Sequence, residues 1–344
     1  PFDIRNVVPG ELGMPPDRSF SFAPAACTAA RARSGERTAP PPFVSGPLPA
    51  PPADDVVLAD LVAFFRDPVR GFFRALDFTL PWEGDGIEDA MPVDLDALQE
   101  WTVGDRMLQD MLRGMEPMQA CQAEWRRGTL PPGKLGWRRA RDICARSQAL
   151  ADTANRFRDA DPSAIDVYID LGGGRRLTGT VAPVFGRRLV SVTYSKLDGR
   201  HGLQAWIPLL ALCAHDPDGD WTAVCIGRNK SGDRPRVDTL IGPPDAAAEL
   251  LAGLVAMYDE GRRIPLPLPP KTSYAWAEAR HRGRDPVAPA MKRWKSTDFY
   301  EGEDVDKANQ RAFGERAPLS ALIDRGLDGY AGRLWLPMLE AVQR

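Results

Sequence analysis

Histidine is the scarcest chemistry-bearing residue in this chain. Among 344 residues there are three, His201, His215 and His281, too far apart for the i, i+4 pair of a helical metalloprotease site. The five cysteines, Cys27, Cys121, Cys144, Cys213 and Cys225, are odd in number and never form a C-x2-C pair. That excludes the usual signatures of a zinc cluster and of a disulfide framework. No apolar run approaches the roughly 20 residues of a membrane span, and the opening residues lack the charged, apolar and small-residue sections of a signal peptide. A soluble, cytoplasmic protein with no membrane partner is expected. Walker A, G-x-S-x-G and G-x-G-x-x-G are all missing, so three common enzyme classes lose their usual support. An excess of one charge is missing too. With 44 basic and 47 acidic residues the net charge is −3, so any nucleic-acid contact must be local.

Proline is what the chain has in excess: 33 in all, 12 of them in residues 1–53. Proline lacks the donor that helices and sheets need, so residues 1–53 are expected to form an extended arm. Phe2, Phe20, Phe22 and Phe43 are spaced like anchors that pin such an arm to a neighbouring surface, whereas disorder normally lacks aromatics. The first residue is Pro1, and the chain is expected to be a piece of a longer polypeptide.

Residues 54–160 read as a helical region. Val57, Leu58, Leu61, Val62 and Phe65 recur at helical spacing behind Asp54-Asp55, which can cap a helix start. Asp67-Pro68 then opens a second helix with Asp as N-cap and Pro at its first position, and Val69, Phe72, Phe73 and Leu76 form its apolar face. Residues 83–116 carry ten acidic residues against Arg106 and Arg113, a net of −8 that would repel phosphate. Helices are expected over 94–114, 118–128 and 137–160, the last two split by Pro131-Pro132-Gly133.

From Ser163 the period changes to two, and residues 161–344 read as an α/β domain with a basic C-terminal extension. Ile165, Val167, Ile169 and Leu171 make one apolar strand face. Strands at Leu177–Phe185 and Leu189–Tyr194 flank Gly186-Arg187-Arg188 as a hairpin. A helix over 203–214, strands at 221–226 and 237–241 and a helix over 245–261 follow, so a small sheet carries packed helices. Residues 262–298 hold nine Arg or Lys against Glu278, Asp285 and Asp298, a net of +6, interleaved with Tyr274, Trp276 and Trp294. Lys271, Arg280, Arg282, Lys292 and Arg293 in this stretch, and Arg187 and Arg188 at the hairpin tip, are the candidate DNA-binding residues. A solvated surface is the competing reading for both.

The element order resembles the core of the PD-(D/E)XK nucleases, the restriction-endonuclease-like fold that includes the RecB nuclease. In that family an acid on the second strand and a D/E-x-K on the third bind Mg²⁺, because a hard cation needs close oxygen anions and the lysine steadies developing charge. Here the family's Gly-x-x-Asp falls on Gly179-Thr180-Val181-Ala182, and its Asp-Tyr-Lys on Thr193-Tyr194-Ser195. Acid, acid and lysine thus become Ala182, Thr193 and Ser195. Lys196 stands one place late, which on a strand means the opposite face. The family's helix-start Gln is kept as Gln204. The resemblance therefore implies a degenerate nuclease core with no catalytic residues and no metal ligands.

A second resemblance is carried by Leu61-Val62-Ala63-Phe64-Phe65-Arg66-Asp67-Pro68-Val69-Arg70-Gly71-Phe72-Phe73, by Trp125-Arg126-Arg127-Gly128-Thr129-Leu130-Pro131-Pro132-Gly133, by Gly202-Leu203-Gln204-Ala205-Trp206 and by Arg333-Leu334-Trp335-Leu336-Pro337-Met338-Leu339. These blocks are similar to the C-terminal part of the RecC family, the gamma subunit of exodeoxyribonuclease V. The resemblance implies a non-catalytic part of the RecBCD helicase-nuclease, acting in double-strand-break repair by homologous recombination. Its implied partners are RecB-like and RecD-like subunits and DNA at a duplex end or fork. Mg²⁺ and ATP would be used by the partners, with no cofactor in this chain.

Two rival readings stay open at the level of sequence. A metal-dependent nuclease with relocated acids would draw on Asp166, Asp170 and Asp198. An interaction module without DNA contact would follow if Arg280, Arg282, Lys292 and Arg293 scatter or face partner protein.

Overall fold

The computed structural model describes residues 3–20, 43–80, 95–230 and 234–343, with residues 23, 25, 26, 28, 29 and 32. It divides into two compact units, Pro1–Ser45 and Gly46–Arg344. In the first, a 3-10 turn at Ile4–Asn6 is capped by Asp3, whose carboxylate accepts from the Arg5 backbone N–H at 3.0 Å. Of the four expected anchors, Phe2 and Phe22 lie outside the described residues and Phe20 is exposed. The acidic residues 83–94 also lie outside them.

In the second unit Leu48 is tied to Arg263 by two hydrogen bonds, backbone N–H to carbonyl at 3.0 Å and Arg263 Nε to the Leu48 carbonyl at 2.8 Å. The end of the proline-rich stretch is therefore held. The first helix, α1 (Leu58–Arg66), is preceded by a two-residue strand, β1 (Val56–Val57), and has no side-chain cap. This corrects the expectation for Asp54-Asp55: Asp55 instead accepts from the Arg176 backbone N–H at 2.8 Å, and the Arg175 side chain donates to the Asp54 carbonyl at 2.7 Å. The second helix, α2 (Pro68–Ala75), starts as its sequence dictates. Asp67 accepts from the Arg70 backbone N–H at 3.1 Å, and Pro68 takes the first position, where no donor is needed. Val69, Phe72 and Phe73 are fully buried, each contributing about 2 kcal/mol of burial.

Helices α3 (Ala97–Leu112), α4 (Pro117–Arg127) and α5 (Gly133–Asn155) form one layer. Asp96 and Gln99 close a capping box at the start of α3. Gly128, at φ +70°, ends α4 in the left-handed region. The layer packs on a seven-stranded sheet: Val103, Met107, Leu108, Ile143 and Leu150 share one core with Phe185, Val190, Tyr194, Val224 and Ile226. The change of period at Ser163 thus falls inside a single compact unit.

The sheet strands after β1 are β2 (Pro162–Gly172), β3 (Arg175–Phe185) and β4 (Arg188–Lys196). Helix α6 (Gly199–His215) then crosses to β5 (Thr222–Arg228), which lies parallel to β4. Strand β6 (Pro235–Ile241) pairs antiparallel with β5, and β7 (Val342–Gln343) with β6. Alternation along β5 separates the two faces: Val224 and Ile226 enter the α3–α5 core, while the Cys225 thiol reaches the His201 carbonyl of α6 at 3.8 Å. Helices α7 (Ala247–Gly261), α8 (Pro270–His281) and α9 (Val287–Trp294) follow, then α10 (Lys307–Phe313), α11 (Leu319–Ile323) and α12 (Leu327–Ala341). The fold is a mixed sheet covered by helices, as the alternation of strand and helix signals leads one to expect.

Candidate functional site

Strands β3 and β4 pair only where the hairpin begins, at Val184 with Leu189 and Phe185 with Arg188. Beyond that they part. Since β2 occupies one edge of β3 along its length, β1 takes the far end of the other edge, at Leu177 and Thr178. Gly179 permits this: a Cβ there would lie 2.7 Å from the Cβ of Leu58. Gly179 therefore has a packing reason in this chain.

The parting opens a cleft of about 590 Å³ in which Ala182, Val192 and Gln204 meet α1. Its charged lining is Arg66, Arg113 and Arg158, with no carboxylate among its lining residues. Three guanidiniums without an oxygen anion repel a divalent cation, so the residues present do not fit Mg²⁺. Thr193, Ser195 and Lys196 are not among that lining. The Thr193 hydroxyl accepts from the Ser195 backbone N–H at 3.1 Å, and the Ser195 hydroxyl accepts from Trp101 Nε1 at 2.8 Å. Between them Tyr194 is fully buried against Gly104 of α3, where an added Cβ would come within 2.4 Å of the ring. Burial pushes the Tyr194 hydroxyl up, only partly offset by Arg146 and Arg228.

The acids considered for a relocated metal site are each bound locally. Asp166 accepts from the Thr180 hydroxyl at 2.6 Å, and Asp170 from the Gly172 backbone N–H at 2.8 Å. Asp198 caps α6, with Arg200 and His201 on its carboxylate. Burial works against its charge, but the hydrogen bonds from His201 and Arg200 outweigh it and hold the carboxyl well below the usual range. Among the described residues no three His, Cys, Asp or Glu side chains gather as metal ligands.

The expected basic stretch at 262–298 is divided. Arg280 donates to Asp328 at 2.7 Å and Arg282 to Glu278 at 2.9 Å, while Lys292 is exposed on α9. Lys271 and Arg293 instead line a cleft of about 370 Å³ together with Lys196, Lys230 and Tyr300. The hairpin tip does not stand alone either. Arg188 donates to the Phe157 carbonyl at 3.1 Å and pairs with Asp159, and Arg187 donates to the Asp218 carbonyl at 3.3 Å. These contacts occupy the cations with protein, because the tip continues into the β4–β5 pairing at Arg188 and Thr222.

Sequence reasoning missed a second cluster. Both carboxylate oxygens of Glu100 are taken by guanidiniums: Arg146 at 2.6 Å and Arg228 at 3.2 Å on Oε1, Arg139 at 2.8 Å on Oε2. This cluster borders a cleft of about 410 Å³ that Lys196 and Lys230 also line. Its members come from α3, α5, β4 and the end of β5. The one local signal was Arg228-Asn229-Lys230, cations placed directly past a strand end.

The family model described as the RecC C-terminal domain matches residues 53–281. The chain is similar to the RecBCD enzyme subunit RecC of Mycolicibacterium smegmatis, 62% identical over 356 residues that take in 99% of this chain and 32% of the relative. The RecC subunit of Mycobacterium tuberculosis is 54% identical over 354 residues, again 99% of this chain and 32% of the relative. That of Escherichia coli is 29% identical over 280 residues, 80% of this chain and 23% of the relative. The chain thus spans about a third of the length of the mycobacterial relatives it matches. With the family model covering more than half of its residues, the chain belongs to the RecC C-terminal domain family.

Proposed function

We propose that this chain is a non-catalytic part of an ATP-dependent DNA helicase-nuclease that acts in double-strand-break repair. In this reading it holds RecB-like and RecD-like partner subunits together and guides or splits DNA strands at the fork. Catalysis, with its Mg²⁺ and ATP, lies in those partners. The similar proteins of known name are subunits of the RecBCD enzyme, which supports the assembly.

The observation that carries the non-catalytic reading is the β3–β4 cleft. We read the diverging strands as those of a restriction-endonuclease-like sheet, where the metal site would lie. At that place stand Ala182 and Gln204 with three arginines and no carboxylate. Without oxygen anions at close range a hard divalent cation is not held. The test is to incubate the purified chain with linear DNA and Mg²⁺ or Mn²⁺. The expected result is intact DNA. Robust degradation abolished by Asp166→Ala or Asp170→Ala would overturn the reading.

A further inference from the structure

Backbone direction decides which groups face the gap between β3 and β4. Along a strand, one residue turns its N–H and C=O to one edge and the next residue to the other. The Tyr168 N–H leaves the β2–β3 ladder for His215 Nδ1 at 3.4 Å, so its cross-strand partner Thr178 turns away from β2 as well. Arg176 keeps the same parity, its N–H going to Asp55 beside β1 at 2.8 Å. Thr180 and Ala182 follow by alternation, and both are exposed. On β4, Arg188 pairs with Phe185 at the hairpin, which turns Val192 and Tyr194 toward β3. Past Val184 and Leu189 the ladder stops, since Pro183 has no N–H to give to β4. Asp105 takes the Tyr194 N–H. Among the described residues, nothing takes the backbone groups that Thr180, Ala182 and Val192 turn into the gap.

Two open strand edges therefore face one cleft, and an open edge is a template for a further strand. The walls state what that strand should carry. They are aliphatic at Leu58, Val62, Leu112 and Pro208 and cationic at Arg66, Arg113 and Arg158, with no carboxylate among the lining residues. Arg66 is exposed and makes no ion pair among the described residues. Arg113 reaches only Asp110, at 3.4 Å, with its side chain 74% exposed. Arg158 donates to the Leu112 carbonyl at 2.9 Å and lies over the Phe185 ring. That ring is buried, so a nucleic acid would find cations here and no aromatic face for its bases. Carboxylates and aliphatic side chains on an extended backbone match all three features at once.

We propose that the parted strands admit an extended peptide of a partner protein, with acidic and aliphatic side chains, as an added strand. Its backbone pairs with Thr180 and Ala182 on one side and with Val192 on the other. Its carboxylates meet Arg66, Arg113 and Arg158, and its aliphatic groups meet the walls between them. Main-chain pairing supplies the affinity and the walls the preference. Strand addition here requires no DNA contact elsewhere in the chain.

The test titrates the full-length subunit, free of other chains, into fluorescein-labelled Glu-Val-Glu-Glu-Val-Glu-amide and follows anisotropy. Saturable binding is expected. The same peptide with lysine for glutamate should bind weakly, and so should one N-methylated at alternate amides, which keeps the charges and removes the backbone donors. Hydrogen exchange with peptide bound should slow at the Thr180, Ala182 and Val192 amides. Arg66→Glu with Arg113→Glu should weaken binding about tenfold and leave thermal unfolding unchanged, since both side chains are exposed. Absence of binding, binding indifferent to N-methylation, or protection confined to other segments would overturn strand addition. Oligothymidine that displaces the peptide and protects the same amides would assign the cleft to nucleic acid instead. Protection of those amides on self-association, without peptide, would assign it to a second copy, and either result overturns the partner peptide.

Discussion

Arg228 lies over the ring of Tyr194, its guanidinium carbon 4.4 Å from the ring centroid, while its NH1 donates to Glu100 at 3.2 Å. One side chain thereby joins β5, β4 and α3. The ring beneath it is fully buried, so the cation is held by an aromatic face on one side and a carboxylate on the other. This joint forms part of the wall of the 410 Å³ cleft, and it makes Glu100 the critical anion of the region.

Glu100→Gln removes the charge that Arg139, Arg146 and Arg228 share. Leaving partly buried guanidiniums without it should cost about 3 kcal/mol. Urea unfolding should show a lower midpoint with an unchanged slope. An unchanged midpoint would mean that the cluster contributes nothing to stability.

Two glycine substitutions should act in opposite directions. At Gly104 a Cβ would meet the Tyr194 ring at 2.4 Å, so Gly104→Ala should destabilise by about 2 kcal/mol. Gly253 sits in the exposed part of α7 with nothing within 4 Å, so Gly253→Ala should stabilise by about 0.5–1 kcal/mol. The order of the two melting temperatures checks both.

Asp198 caps α6 with its carboxyl held below the ordinary range by His201 and Arg200, against the effect of burial. A folded pKa below the unfolded value means that its stabilisation is present above the unfolded value, about 3.9, and is lost as pH falls through the folded one. Asp198→Asn should therefore cost about 1–2 kcal/mol at pH 7. The gap from the parent protein should narrow below about pH 3.9. Chemical unfolding at several pH values reads this directly, and a gap that widens in acid would refute the assignment.

The described thiols should be unreactive in the native state. Burial pushes Cys144 and Cys213 up to about 11 and Cys225 up to about 12, and raises Cys121 as well. Maleimide labelling at pH 8 with peptide mapping should leave these four unmodified until denaturant is added, since the thiolate is the nucleophile.

Much of the local structure was legible because its causes are local. Asp67-Pro68 opens α2, Gly128 and Pro131-Pro132 separate α4 from α5, and alternation from Ile165 to Leu171 makes β2, all within a few residues of their signals. The start of α1 was misread for the same reason in reverse. Asp54 and Asp55 have the chemistry of caps, yet their partners are Arg175 and Arg176 on β3, more than a hundred residues away. In the basic stretch at 262–298 the distant partner is Asp328, which claims Arg280, while Arg282 is taken locally by Glu278 one helical turn away.

The sequence by itself determined the order and kind of the main helices and strands between residues 58 and 261, and the buried aromatic face of α2. Periodicity, capping and residue identity are properties of short segments, so they need no tertiary information. Only the tertiary structure decided that β3 and β4 part around an arginine-lined cleft, and that Lys196 and Lys230 line a different one. Convergence of charge depends on which strand ends and helices meet, and side chains from α3, α5, β4 and β5 carry no mark of that meeting along the chain.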